Sequence, residues 1–321
     1  CNGLLSRRLQ VRILPGGPLS AAVCYQLALN KATHCMKEKR SVIVHYHTFK
    51  NSGTSFDELL TANYQDAHLC FDGPFPYTLF NQQELLKVIR RNPNKIAFSS
   101  HSIRLPVPTD LEHNAIAALF VRHPILRIRS VYGFEIRSAG VAEKIKGALK
   151  KTVYGTTDTS QLTKSLVDGN PSFDQWVTHL RNDKTMNLNA GLLSNSQTHM
   201  FCGVFGSVGL AKTFLADDPN SFRMSDLDQA KRNLLTVPLL ARTEAYEDDV
   251  KRFPSILSEY GIEFSYKDLP AANVTHQEVR QPIEKRLEQI REDLSPDNWA
   301  WMNKANQQDL ELYEFCNQIL G

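Results

Sequence analysis

Ser41-Val-Ile-Val-His-Tyr-His-Thr-Phe-Lys50-Asn-Ser-Gly-Thr-Ser-Phe56 is the stretch whose reading decides the fold. A β-branched apolar run leads to a lysine, a small-residue turn follows, and Thr54-Ser55 opens a helical pattern. Strand, loop and helix N-terminus in immediate succession make an anion cradle. The first N–H groups of a helix have no intrahelical partner, and the macrodipole places partial positive charge there. In this reading the backbone amides of Asn51, Ser52, Gly53, Thr54 and Ser55 hold a phosphate. Lys50 adds a point charge, Gly53 lets the backbone come close, and Thr54 and Ser55 add hydroxyl donors. The order is not that of a Walker A loop, in which the lysine follows the last glycine. Here Lys50 precedes Gly53, and no glycine lies upstream in the loop, which argues against an ordinary NTPase.

A second buried-strand run, Ala115–Val121, leads into Arg122-His-Pro-Ile-Leu-Arg-Ile-Arg-Ser130. Arg122 falls at the carboxyl end of that strand, where open parallel α/β sheets bind ligands. Pro124 suits the first turn of the next helix, and Ser130 comes about two turns later. An arginine fork with a hydroxyl suits a terminal phosphate monoester. Arg127 and Arg129, on the same helix, read as solvated basic residues.

Outward from these units, Asn81–Arg91 reads as a helix and Lys95–Ser99 as a strand. Strands alternating with helical stretches imply parallel βαβ units with right-handed crossovers. The expected fold class is therefore α/β: a P-loop-like parallel β-sheet flanked by helices, with a helical insertion and a helical C-terminus. Residues 1–40 form a leading extension with a helix, and residues 41–321 a single domain. Residues 139–200 read as a partly mobile insertion over the site. It holds a basic patch (Lys144, Lys146, Lys150, Lys151), a Thr/Ser-rich stretch over 152–165 and a helix around Trp176. Pro282–Leu294 and Asp309–Leu320 read as helices against the sheet, with Trp299 and Trp301 at core or helix-junction positions. The codons of Gln10-Val-Arg-Ile13 can be written to contain the conserved arm of a tRNA gene. Residues 1 to about 18 are thus expected to be upstream read-through, the alternative being a basic tail.

The spacing Lys50-x-x-Gly53-Thr54-Ser55, with Arg122-x-Pro124 and Ser130 eight residues after the arginine, resembles the sulfotransferases that use 3′-phosphoadenosine-5′-phosphosulfate. The first motif resembles their 5′-phosphosulfate loop and the second their 3′-phosphate site. His101, in Lys95-Ile-Ala-Phe-Ser-Ser-His-Ser-Ile-Arg-Leu-Pro106, matches by its place in the order the general base of the heparan/uronyl 2-O-sulfotransferase branch and its bacterial relatives. Those proteins have a Gly-His turn where this chain has Ser100-His101. Gln197–Gly203, Leu234–Glu244, Ala272–Thr275 and Asn306–Phe315 resemble later landmarks, so the resemblance spans about residues 40–320. It implies a sulfotransferase fold, with Lys50 and His101 as catalytic residues and Arg122 and Ser130 on the donor's 3′-phosphate. It also implies that no metal is needed, and that the acceptor is a hydroxyl compound with a carbohydrate as the family default. An ATP-dependent kinase and a non-catalytic glycan-binding relative are the rival readings.

The net charge of +3 gives no global polyanion footprint, and no nucleic-acid-binding motif is present, so nucleic acid is not an expected partner. The cysteines at 1, 24, 35, 70, 202 and 316 show no Cys-x-x-Cys and no zinc spacing. They read as reduced thiols, with Cys24–Cys35 or Cys70–Cys202 pairing left open. His45 and His47 share one strand face and read as structural, because no acidic or cysteine partner lies near them in the sequence. No apolar run reaches the length of a membrane span, and Leu19–Leu29 is broken at Gln26. Animal Golgi sulfotransferases carry a membrane anchor, so the expectation is a cytoplasmic, bacterial enzyme.

Overall fold

The computed structural model describes residues 39–73, 79–146, 171–182, 193–203, 224–268 and 281–321. The run Arg40–Tyr46 is a strand, β1, whose centre is wholly buried. It is joined by β2 (His68–Cys70), β3 (Ala97–Ser100), β4 (His113–Val121) and β5 (Leu239–Arg242) in a five-stranded parallel sheet of order β2-β3-β1-β4-β5. Ile43 lies opposite Ala97, Tyr46 opposite Ser100, and Ala118 opposite Leu239. The cores of β1, β4 and β5 read as apolar runs because helices cover both faces, as parallel sheets require.

The helices are α1 (Gly53–Tyr64), α2 (Gln82–Arg91), α3 (Pro124–Lys146), α4 (Phe173–Asn182), α5 (Ser196–Phe201), α6 (Met224–Leu234), α7 (Tyr246–Val250), α8 (Phe253–Ser258), α9 (Ile283–Glu292), α10 (Pro296–Ala305) and α11 (Gln307–Leu320). Asn81 and Glu84 start α2 with a capping box, each side chain satisfying the other's backbone N–H. One face of the sheet packs Val42, Val44, Phe98 and Leu119 against Leu86 and Ile89 of α2, Leu227 of α6 and Leu312 of α11. The other packs Ile43, Ala118, Phe120 and Leu239 against Phe56 and Leu60 of α1 and Phe253 of α8. A third apolar cluster joins Ile125 and Ile128 of α3 to Trp176 of α4, Ile290 of α9 and Met302 of α10.

The parallel α/β arrangement, the long helix from Pro124 and the C-terminal helices were all legible in advance. Ser41–Gly321 form one compact unit. The helix around Trp176 belongs to the third cluster. Trp176 is 1% exposed in the third core cluster, and its Nε1 donates to Glu135 at 3.0 Å. Lys144 and Lys146 belong to α3. Residues 1–38, which carry Cys24 and Cys35, lie outside the described residues, as do Lys150, Lys151, 152–165 and Ala272–Thr275. Cys70, Cys202 and Cys316 are free thiols, so the Cys70–Cys202 pairing is not formed. Among the described residues no helix is long and apolar enough to cross a membrane.

The chain leaves β1 toward β3 and β2, whereas it leaves β4 toward β5. The topological switch point therefore lies between β1 and β4, and open parallel sheets bind ligands outside the carboxyl ends of such strands. Lys50 follows one of these strands and Arg122 the other.

Candidate active site

The turn between β1 and α1 is held in an uncommon conformation. Lys50 and Ser52 both have left-handed backbones, with φ of 65° and 59°, and neither is glycine. Such geometry needs surrounding structure to hold it, and turns of this kind direct successive N–H groups to one side. Asn51 supplies the hold. Its side chain is buried, and Nδ2 donates to Phe120 O and to Gln197 Oε1, both at 2.8 Å. Its backbone N–H is already turned to Thr48 O at 3.3 Å. Asn51 therefore anchors the loop through its side chain, and the N–H expected to face a phosphate is turned to Thr48.

Gly53 is also needed for a different reason. A Cβ there would lie 2.1 Å from Cδ2 of His47, so the missing side chain makes room for an imidazole and not for a ligand. Thr54 is exposed and Ser55 half-buried in the first turn of α1. The Lys50 ammonium stands over the Phe134 ring at 4.9 Å from its centroid. Partial burial, then the charges of Arg122 and Arg137, lower its pKa.

The two motifs read from the sequence as phosphate sites meet. Arg122 Nη1 donates to Lys50 O at 2.8 Å, although the residues are 72 apart in the chain. Arg122 Nε also lies 3.5 Å from Glu244, just beyond β5. Burial pushes the Glu244 carboxyl up against the opposing pull of Arg122. Ser130 is half-buried in α3, about 9 Å along the axis from Pro124 at 1.5 Å per residue. Its hydroxyl is therefore set well back from the end of β4.

Arg127 is not the solvated residue expected. It is 1% exposed, its Nη2 donates to Ser196 Oγ at 2.9 Å, and burial lowers its pKa to about 10 with Asp309 pulling the other way. Arg129 is partly exposed and pairs with Asp293 at 3.1 Å.

Gln197 joins the two motifs, and nothing in its residue type announces this. Its Oε1 accepts from Arg122 N at 2.9 Å as well as from Asn51, and its Nε2 donates to Arg122 O at 2.7 Å. Gln197 is itself pinned by Asp309, whose carboxylate accepts from the Gln197 and Thr198 N–H groups at 2.9 and 2.7 Å. In return Asn195 Oδ1 accepts from Gln308 N and Asp309 N at 3.0 and 3.2 Å. Helices α5 and α11 thus cap each other's first turns.

On the other side of β1 stands a histidine network. Asp57 of α1 accepts from His45 Nδ1 at 2.7 Å through one oxygen and from His47 Nδ1 at 2.8 Å through the other. These histidines thus have an acidic partner, contrary to the expectation from the sequence: α1 folds back over β1 and delivers it from ten residues beyond His47. Burial works against ionisation of Asp57, but the two imidazole hydrogen bonds and charges outweigh it, so its pKa falls far below the usual carboxylate range. Burial lowers His45 to about 4. The His47 ring lies against that of His101, with centroids 3.8 Å apart. His101 Nδ1 faces His47 O at 2.9 Å, and its backbone N–H donates to Asp72 at 2.7 Å. A carbonyl can only accept, so the proton sits on Nδ1 and the Nε2 lone pair is left free for a proton. Desolvation, then the neighbouring His47, hold the His101 pKa below its ordinary value.

Next in the chain to Arg122, His123 lines a cleft of about 680 Å³, with Lys285, Leu287, Arg291 and Trp299 among its other walls. That volume is within the range of small-molecule sites. Trp299, expected at a core or helix junction, packs on the third cluster and also faces this cleft.

No protein-family model matches the chain. It is similar to an uncharacterized protein of Archaeoglobus fulgidus, 25% identical over 283 residues, which covers 86% of this chain and 95% of the relative.

Proposed function

We propose that this chain is a sulfotransferase, moving a sulfuryl group from 3′-phosphoadenosine-5′-phosphosulfate to a hydroxyl acceptor, with a carbohydrate as the first candidate. The observation that carries this reading is the Arg122–Lys50 contact at the switch point. It ties the Arg122 guanidinium to the Lys50 backbone carbonyl in the turn that leads into α1, and His101 is held to the same loop through His47 O. Such a set suits a ligand with two phosphate groups and an adjacent hydroxyl to deprotonate.

In the proposed step the acceptor oxygen attacks sulfur while the bond from sulfur to the 5′-phosphate oxygen breaks. The acceptor proton passes to His101 Nε2. Lys50 and the free N–H groups at the start of α1 stabilise the charge that develops on the departing phosphate. Arg122 holds the 3′-phosphate and so selects this donor over ATP. The carboxylates nearest the strand ends, Asp72 and Glu244, are engaged with protein donors, which weighs against an ATP–magnesium site there.

Calorimetric titration with 3′-phosphoadenosine-5′-phosphate, alongside ATP with magnesium, tests the reading. Binding of the former and not the latter is expected. Binding of ATP alone overturns it in favour of a kinase, and binding of neither favours a non-catalytic relative.

A further inference from the structure

The sheet face under α1 carries two pairs of metal-ligating residues, each spaced i, i+2 so that both members point the same way. His45 comes from β1 and His47 from the residue just past its end, and His68 and Cys70 come from β2. Between them runs β3, whose residues on this face are small: Ser99 pairs with His45 on one side and Cys70 on the other, and Ala97 pairs with His68. Those small side chains leave a trough, and α1 lowers Asp57 into it. The ligand atoms of Asp57, His68 and Cys70 lie within 4.8 Å of one another.

We propose that Asp57, His68 and Cys70 form a binding site for a divalent transition-metal cation of the zinc class, with His45 and His47 orienting the carboxylate. The hydrogen bonds already set each group for this task. Thr61 Oγ1 donates to Asp57 O at 2.8 Å, so it can only accept from His68 Nδ1, 2.9 Å away. The His68 proton is thereby placed on Nδ1 and the lone pair on Nε2. A hydroxyl holding the far nitrogen of an imidazole is the arrangement that fixes a metal-ligating histidine. That lone pair faces inward, 2.8 Å from Ser99 Oγ and 3.7 Å from Cys70 Sγ. Zinc–nitrogen and zinc–sulfur bonds of usual length at a tetrahedral angle separate the two ligand atoms by about 3.6 Å.

Asp57 fits as the third ligand. Both of its oxygens receive imidazole N–H groups, which fixes the carboxylate plane and leaves lone pairs on each oxygen. Among the described residues its ion-pair partners are these two imidazoles, so no lysine or arginine neutralises it. The cluster of Asp110, Glu112 and His113 differs on this point, because Arg90 already pairs with Asp110 at 2.9 Å. A carboxylate, an imidazole and a thiol form a donor set that suits zinc and its neighbours and not magnesium or calcium. Cys70 is exposed, so the fourth position opens to water, and the thiol gives up its proton when the cation binds. The site lies on a different set of atoms from the proposed sulfuryl transfer and does not depend on that reading.

The test is cobalt(II) titration of the chelator-treated full chain, followed by absorption in the visible and near ultraviolet. One equivalent is expected to bind, with a thiolate-to-cobalt charge-transfer band, and zinc is expected to displace it. Cys70→Ser should abolish that band, and His68→Asn should lower cobalt affinity. Thr61→Val, which removes only the group that holds the imidazole, should weaken binding about 10–100-fold. Circular dichroism of each variant checks that it is folded. Absence of the charge-transfer band, or a band and affinity unchanged in folded Cys70→Ser and His68→Asn, overturns the proposal.

Discussion

Gln197→Ala tests whether the site is assembled by one side chain. The amide makes three hydrogen bonds, to Arg122 N, to Arg122 O and to Asn51 Nδ2. Asn51 keeps a partner in Phe120 O, so the loss falls on the two backbone groups of Arg122. Leaving a buried donor or acceptor unsatisfied costs on the order of 1–3 kcal/mol, so the substitution should destabilise the chain by about 3 kcal/mol. At roughly 2 °C per kcal/mol for a unit of this size, that is a fall of about 6 °C in thermal midpoint. Affinity for 3′-phosphoadenosine-5′-phosphate should fall as well. A 1.4 kcal/mol loss from a displaced Arg122 would be about tenfold in Kd. The assays are a calorimetric unfolding scan and a ligand titration. Gln197→Met keeps the volume and removes the hydrogen bonds, so it separates polarity from packing. A midpoint for Gln197→Met within about 1 °C of the parent would refute the reasoning, since the hydrogen bonds would then contribute nothing net.

His101→Gln should reduce turnover about 10²–10⁴-fold while leaving the Kd of 3′-phosphoadenosine-5′-phosphate nearly unchanged, because in the proposed step the residue takes a proton and holds no phosphate. A large loss of donor affinity in that variant would mean a binding role instead. Gly53→Ala should lower the thermal midpoint by about 1–3 kcal/mol equivalent, since the added methyl meets the His47 ring at 2.1 Å. A rise would show that helix propensity outweighs the crowding. Burial holds His123 and His199 neutral with pKa values of about 4, below the ordinary 6.5. The unfolded chain then binds the extra protons, so this stability is fully present above pH 6.5 and is lost as pH falls toward about 4. Denaturant midpoints measured from pH 7 to pH 4.5 should decline, and His199→Gln should flatten the decline; an equal slope in both proteins would contradict it.

Much of the architecture is written in local pattern. The run Val42–Tyr46 announces a strand buried on both faces, and Lys50 to Ser55 announces a tight turn into a helix. Pro124 marks where the next helix starts. These follow from periodicity and from residues with restricted backbones, which act over a few positions. Arg122 at a strand end and Lys50 before a helix are each legible, but it is the order of strands in the sheet that makes their ends neighbours.

What the sequence by itself could not determine is which side chains ligands meet and which serve the fold. Asn51 and Gly53 have the right identities for an anion loop, yet one is turned inward to Phe120 and Gln197 and the other is occupied by His47. Arg127 has the pattern of a surface residue and is buried, because α5 and the Asp309 end of α11 close over it. Gln197 and Asp309 are 112 residues apart, and Arg122 and Gln197 are 75 apart. No period or spacing encodes contacts of that range. They arise when helices from distant parts of the chain pack against the same sheet, and each polar group buried in that packing must find a partner. Local pattern placed the strands and the loop; tertiary packing decided which of their side chains became the site.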